Sequence, residues 1–346
     1  SEGSEGKYYI FSNDELKESL ESQEIDLLNE YFLDLTKPNF EGKHHLHLQR
    51  KKEDDFKKNK HKFEKIFNKL SNLRKAKVLP SIDKKILLSW NCLYIKGLIK
   101  LYKITKDENI LKTINKALDF ITHKMMSSET IYSCFNQEPC FPGYLDDYAL
   151  LGSVLIDYLT IEYNQDYYDV CKRVCDDLIN DFEDKEKGGF FFTSNRHEQL
   201  FHRPKSIGDD SVPSGLVYAT DTLFYMGYIS GNQNYIEVAE RALIYIYKSI
   251  DENLTSNVSA INLLNEDKLE KEIIIVRTNK ETWKKVTEFK EYYEKCIIFI
   301  DKKVDNLPDQ IELKKCHGEF TSYHCKGMTC QEPKKTLEDF KEALKT

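Results

Sequence analysis

Asp146 and Asp147 are adjacent carboxylates that open an apolar helical stretch just after Pro142 and Gly143. Paired carboxylates can split their pKa values and share acid and base work on a sugar. Carboxylates at a helix start also cap its free amides, which is the plainer role for at least one of the two. Neighbours on a helix cannot both face one axis, so a two-carboxylate mechanism needs a partner elsewhere; Asp209, beside Asp210 in a later long loop, is the candidate. Trp90 and Asn91 lie on an earlier helix, where Trp90 serves either as core or as a stacking platform for a sugar. Tyr144 and Tyr148 are one helical turn apart and line one wall. Arg203, before Pro204, suits either a substrate contact or a surface ion pair.

These residues need a scaffold, and the chain supplies one by repetition. Residues 86–104 form an apolar helix, a short turn follows, and Ile110, Leu111, Ile114, Ala117, Leu118 and Ile121 then mark a 3.6-residue stripe. Residues 144–163 and 213–229 repeat the first element. Two stripes repeat the second: Tyr167, Cys171, Val174, Leu178 and Phe182, then Tyr235, Val238, Ala239, Ala242, Leu243, Ile246 and Ile250. Equivalent turns recur about every 60 residues, longer than tetratricopeptide units. A helix apolar nearly all round sits inside, whereas a striped one sits outside with a wet face. The expected fold is therefore mainly α: a partial (α/α)6 toroid with hairpins at 86–126, 144–183 and 213–250, within a domain spanning 1–254. The long connections, 127–143 and 184–212, fall on one rim, where functional residues gather. One of them carries Gly188-Gly189-Phe190-Phe191-Phe192-Thr193, read as a turn and a short strand.

The first 80 residues are less regular. Residues 7–12 read as a strand, followed by a helix capped by Asn13 or Asp14. Residues 50–77 are strongly basic, with an apolar stripe of Phe56, Phe63, Ile66, Phe67, Leu70 and Leu73, which reads as an outer helix with a solvated face. Residues 255–346 form a small α/β unit. Runs at 272–277 and 296–301, separated by a polar helix, predict a parallel βαβ unit. A third strand follows at 320–325 and a closing helix at 335–345.

The 346 residues are 40% hydrophobic and 32% charged, with a net charge of -7. This balance gives no reason to expect a nucleic-acid or membrane partner, and no stretch approaches the ~20 apolar residues of a membrane span. Nine widely spread cysteines fit reduced thiols in a cytosol-like compartment better than a disulfide framework. Cys325 and Cys330, with His324 alongside, are nevertheless spaced for a disulfide or redox pair. A zinc site would need a second matching pair, which is missing. No Gly-rich phosphate loop or Ser-His-Asp signature occurs, so no cofactor is called for.

The runs Leu88-Ser89-Trp90-Asn91, Pro142-Gly143-Tyr144-Leu145-Asp146-Asp147-Tyr148-Ala149, Gly188-Gly189-Phe190-Phe191-Phe192-Thr193, Arg203-Pro204-Lys205 with Asp209, Pro213-Ser214-Gly215 and Tyr323-His324-Cys325 with Thr329-Cys330 come in an order that resembles the spermatogenesis-associated protein 20 family. The resemblance implies a thioredoxin-like domain followed by a six-hairpin toroid similar to N-acylglucosamine 2-epimerases and six-hairpin glycosidases. It further implies that this chain lacks the thioredoxin-like domain and the first toroid helices. Leu216 stands where the family has Asn after Pro-Ser-Gly. The expected activity is binding of a small sugar or polyol in an axial cavity, with epimerase- or glycosidase-like chemistry. The alternative is a non-catalytic scaffold for a thioredoxin-like domain.

Overall fold

The computed structural model describes residues 3–32, 34–198, 201–250, 254–265 and 271–344. The chain divides into two compact units, Ser1–Lys84 and Lys85–Thr346.

In the first unit, β1 (Ile10–Phe11) pairs antiparallel with β2 (His44–His45). Helix α1 (Asn13–Ser19) is capped by Ser12 in a reciprocal box with Glu15, so the cap precedes both residues expected to supply it. Helices α2 (Ser22–Tyr31), α3 (Glu53–Asn59) and α4 (Glu64–Lys75) complete the unit. Phe63, Ile66 and Leu70 are buried with Phe11, Leu16 and Leu28, and Phe56, Phe67 and Leu73 pack against them. The apolar stripe therefore closes a core of the unit's own rather than the outside of a helical ring. The basic face is partly neutralised: Lys69 meets Glu24 at 2.6 Å and Lys52 meets Glu30 at 2.6 Å.

The second unit holds the expected hairpins: α5 (Leu88–Thr105) with α6 (Glu108–Lys124), α7 (Leu145–Leu159) with α8 (Gln165–Asp177), and α9 (Gly215–Ser230) with α10 (Gln233–Ser249). Helix α8 runs on into a wider π-type turn, Leu178–Phe182. Helices α5, α7 and α9 pack side by side, and each also packs on its own partner. This is the inner and outer arrangement of a partial α/α toroid. Its physical cause is composition. Helices α7 and α9 bury almost every residue, while α6, α8 and α10 bury one stripe each. Helix α5 departs from the expectation. It buries Leu88, Cys92, Ile95 and Ile99 but exposes Trp90, Tyr94, Leu101 and Ile104, because it stands at the end of the row.

The long connection before α7 is more ordered than its sequence suggested. β3 (Ile86–Leu87), β4 (Tyr132–Asn136) and β5 (Glu138–Pro142) form an antiparallel sheet. The strand expected after Gly188 is reduced to one bridge between Glu183 and Phe190. Gly188 and Gly189 both have positive φ, and a Cβ on Gly188 would lie 2.6 Å from the Arg241 carbonyl.

After α11 (Val258–Asn265), β6 (Glu272–Thr278) pairs parallel with β7 (Cys296–Asp301) across α12 (Lys280–Val286) and α13 (Glu291–Glu294). β8 (Phe320–Lys326) joins the other side of β6 antiparallel, and β9 (Thr329–Cys330) pairs with β8. α14 (Leu337–Ala343) closes the chain; Lys345, at the end of its expected range, lies outside the described residues. By compactness the sheet segment lies in one unit with the hairpins, and the division falls at 84/85. Among the described residues no helix is long and apolar enough to cross a membrane.

Candidate functional site

Of the three carboxylates singled out in the sequence, Asp146 and Asp147 lie in the first turn of α7 and Asp209 lies in the loop before α9; each engages an amide at a helix start. Asp147 is buried; its Oδ1 accepts from the Ser89 amide in the first turn of α5 at 3.1 Å, and its Oδ2 accepts from the Tyr144 amide at 3.0 Å. Asp146 accepts from the amide of Gly215, the first residue of α9. The fit there is tight, since a Cβ on Gly215 would lie 2.1 Å from Asp146 Oδ1. Asp209 accepts from the Ser214 amide at 2.9 Å and from the Ser259 amide in α11 at 2.8 Å, and also from the Ser259 hydroxyl. Consecutive helix starts are thus linked, α7 to α5 and α9 by the Asp pair, and α9 to α11 by Asp209. Each such bond to a charged acceptor contributes ~1.5–3 kcal/mol, and the dipoles favour the negative charge.

Burial sets their titration. It pushes the Asp146 carboxyl up to about 6, with the neighbouring charge of Asp147 adding to the rise and the Gly215 amide opposing it. Burial also raises Asp147, against the hydrogen bonds from Tyr144, Ser133 and Ser89. Asp209 goes the other way: burial raises it, but the bonds from Ser259, Ser214 and Val258 outweigh that and hold it below the usual carboxylate range.

The other expected residues are dispersed. Trp90 is 59% exposed, which excludes the core role. The Asn91 side chain donates to the Leu87 carbonyl at 2.7 Å. Tyr144 stacks between Phe192 and His197, and Tyr148 is buried against Phe182. Arg203 donates to the carbonyls of Thr193 and Asp181 and lies 4.3 Å from the Phe191 ring, where it ties the long loop down. The nine cysteines are not all reduced. Cys134 pairs with Cys140 across β4 and β5, and Cys325 with Cys330 across β8 and β9. Cys171 and Cys175 pack in the core.

A concave site lies elsewhere in the second unit, in a groove of about 380 Å³ along the inner row. Three polar stripes face it: Lys96, Lys100 and Lys103 from α5; Ser153 and Asp157 from α7 with its C-cap Thr160; Tyr218, Asp221 and Tyr225 from α9. Ser259 and Asn262 of α11, Tyr293 and Glu294 of α13 and Cys296 of β7 also line it. None of the residues singled out in the sequence lines it. Lys96 Nζ sits 2.6 Å from Asp157 and 2.7 Å from Ser153 Oγ, with the Tyr218 ring at 5.5 Å. Lys271, only 2% exposed, pairs with Asp221 at 2.7 Å beneath the Tyr225 ring at 5.0 Å. Burial pulls Lys96 down, but the charge of Asp157 and its hydrogen bond win, so the ammonium stays protonated. Burial lowers Lys103 and, by pushing the Cys296 thiol up to about 12, makes it a poor nucleophile. Among the described residues no three His, Cys, Asp or Glu side chains gather as a metal site requires.

The signal that could have found the groove is in the sequence. In helices that are otherwise apolar, polar residues recur three or four apart on one face.

No family model matches the chain. It is 22% identical over 290 residues to human spermatogenesis-associated protein 20, covering 77% of this chain and 36% of that protein. It is 26% identical over 181 residues to the uncharacterized protein B0495.5 of Caenorhabditis elegans, covering 50% of this chain and 25% of that one. The chain thus spans only about a quarter to a third of these curated relatives. Similar solved structures include a cellobiose 2-epimerase from Bacillus thermoamylovorans (15% identity, TM-score 0.41, 49% of this chain and 47% of that one). A GH76 α-mannanase from Bacteroides thetaiotaomicron is similar too (14%, 0.41, 54% and 52%), as is a D-mannose isomerase (12%, 0.39, 47% and 42%). The chain is therefore similar in sequence to spermatogenesis-associated protein 20, and its structural neighbours include sugar epimerases and glycoside hydrolases.

Proposed function

We propose that the Lys85–Thr346 unit binds a small sugar or polyol in the inner-row groove. The observation that supports this is the pairing of two partly buried ion pairs, Lys96–Asp157 and Lys271–Asp221, with the rings of Tyr218 and Tyr225. A polyhydroxylated ligand needs charged donors and acceptors for its hydroxyls and an aromatic face for its C–H surface. The groove offers both, and its volume lies within the ~300–1,000 Å³ typical of ligand sites. Its carboxylates Asp157 and Asp221 are already paired with Lys96 and Lys271, which suits recognition better than proton transfer. Epimerase- or glycosidase-like turnover is therefore the further step of the reading, with Asp157 and Asp221 as its carboxylates.

A second reading, the non-catalytic scaffold, is favoured by one observation: Asp146, Asp147, Asp209 and Arg203 are each engaged by backbone groups that tie helix starts and the long loop together.

Calorimetry against a panel of hexoses, disaccharides and polyols distinguishes the two. Under the groove reading at least one binds, and at ten times its Kd it adds about 1.4 kcal/mol of stability. Tyr218→Ala and Asp221→Asn then each weaken binding about tenfold or more. Silence across the panel, or binding indifferent to both changes, would leave the scaffold reading.

A further inference from the structure

The Cys325–Cys330 bridge lies outside the groove and has no part in sugar recognition. It joins register partners on β8 and β9, with Cα atoms 4.0 Å apart. The two sulfurs are inequivalent. Cys325 is 9% exposed on β8, within the sheet, whereas Cys330 is exposed at its edge. Lys314 lies beside Cys330, its Nζ 3.0 Å from Sγ and 5.4 Å from the centroid of the Tyr323 ring. An ammonium at that distance favours the thiolate over the thiol, and the thiolate is the reacting species in exchange. An exposed thiol beside a cation, with a buried thiol directly opposite, is the arrangement of a nucleophilic and a resolving cysteine.

We propose that Cys325 and Cys330 form a thiol–disulfide exchange centre that reduces disulfide substrates, with Cys330 as nucleophile, Cys325 as resolving thiol and Lys314 as the residue that holds the Cys330 thiolate. In the reduced chain the Cys330 thiolate attacks one sulfur of a substrate disulfide. A mixed disulfide forms, the substrate S–S bond breaks, and the other half leaves as a thiolate, which takes up a proton. Cys325 then loses its proton to solvent and attacks the Cys330 sulfur. The remaining half leaves as a second thiol, and the intramolecular disulfide of this structure results. Two electrons pass from the cysteine pair to the substrate, and a dithiol reductant returns them. Because the cysteines are already register partners, the second step needs no rearrangement of the sheet. Cys316, half-buried and donating to the Arg277 carbonyl at 3.4 Å, is not required.

The test uses the full chain, reduced with dithiothreitol, freed of reductant and exposed to glutathione disulfide at neutral pH. Adducts are located by mass spectrometry over time. The wild type re-forms the Cys325–Cys330 bridge and releases glutathione. In a Cys325→Ser, Cys134→Ser chain, in which Cys330 and Cys140 both lack a resolving partner, glutathione accumulates on Cys330 about tenfold faster than on Cys140. Lys314→Gln slows that capture about tenfold and Lys314→Arg restores it, whereas a purely structural lysine would alter the melting temperature without altering the capture rate. Cys316→Ser leaves capture unchanged and, with circular dichroism, controls for folding. The proposal is overturned if Cys330 in the folded Cys325→Ser, Cys134→Ser chain reacts no faster than Cys140. It is likewise overturned if Lys314→Gln leaves the rate as it was.

Discussion

The Asp147 carboxylate reaches across to α5 and accepts the Ser89 amide at 3.1 Å, while its other oxygen caps its own helix through Tyr144. One buried side chain thereby ties the starts of two neighbouring inner-row helices. Asp147→Ala leaves both amides without that acceptor inside the protein, so the second unit should lose about 2–4 kcal/mol in urea unfolding. Asp147→Asn keeps one acceptor oxygen and should lose roughly half as much. Equal and small losses for both changes would show that the carboxylate does not hold the helices together.

Asp146 makes the complementary link to α9, and its titration has a definite sign. Its carboxyl is held up to about 6, against an unfolded value of ~3.9. The folded chain therefore holds this proton more tightly than the unfolded chain does. The group's contribution is fully present below pH ~4 and is lost as the pH rises through about 6. Asp146→Asn does not titrate. The stability difference between wild type and Asp146→Asn should shift by roughly 1–3 kcal/mol between pH 4 and pH 7, with the wild type losing ground. Unfolding curves at the two pH values check this, and a pH-independent difference contradicts it.

Gly215 and Asp146 should be coupled energetically. A Cβ at residue 215 would meet Asp146 Oδ1 at 2.1 Å and Cα at 2.9 Å. Gly215→Ala alone should cost about 2–4 kcal/mol, since the facing atoms belong to a short, fixed side chain and to backbone. Asp146→Ala removes the nearer obstacle, so the double variant should be more stable than the sum of the single losses by at least ~0.5–1 kcal/mol. A double-mutant cycle measures this directly, and additivity would deny the contact.

The outward face of α5 carries Trp90, Tyr94, Leu101 and Ile104, each more than 40% exposed. An apolar stripe along a full helix favours association. The purified chain should show a concentration-dependent rise in mass by light scattering. Replacing Trp90 and Ile104 by Glu and Lys should abolish that rise and change stability by no more than ~0.5 kcal/mol, as expected of surface positions. A chain that stays monomeric at every concentration would refute this.

Much of the fold was legible in the linear chain. Helix periodicity separated the nearly all-apolar α7 and α9 from the striped α6, α8 and α10, because burial on all sides and burial on one side leave different residue patterns. The parallel pairing of β6 with β7 followed from two short buried runs bracketing a helix. The site was less legible. Adjacent Asp146 and Asp147 have the look of catalytic carboxylates, and nothing local reveals that Ser89, 58 residues earlier, and Gly215, in a later hairpin, supply their partners.

What the sequence determined by itself was therefore the alternation of helices and the identity of the polar residues on each. Which of those residues meet was decided by tertiary structure alone, because Lys96, Asp157 and Asp221 come together only when three hairpins pack in a row. The cysteine pairs obey the same rule. Spacing marked Cys325 and Cys330 as possible partners, but only the register of β8 on β9 faces them, and only the fold brings Lys314 to one sulfur and not the other. Periodicity is a local property carried by each segment, whereas hydrogen bonds and ion pairs between distant residues depend on how the segments pack.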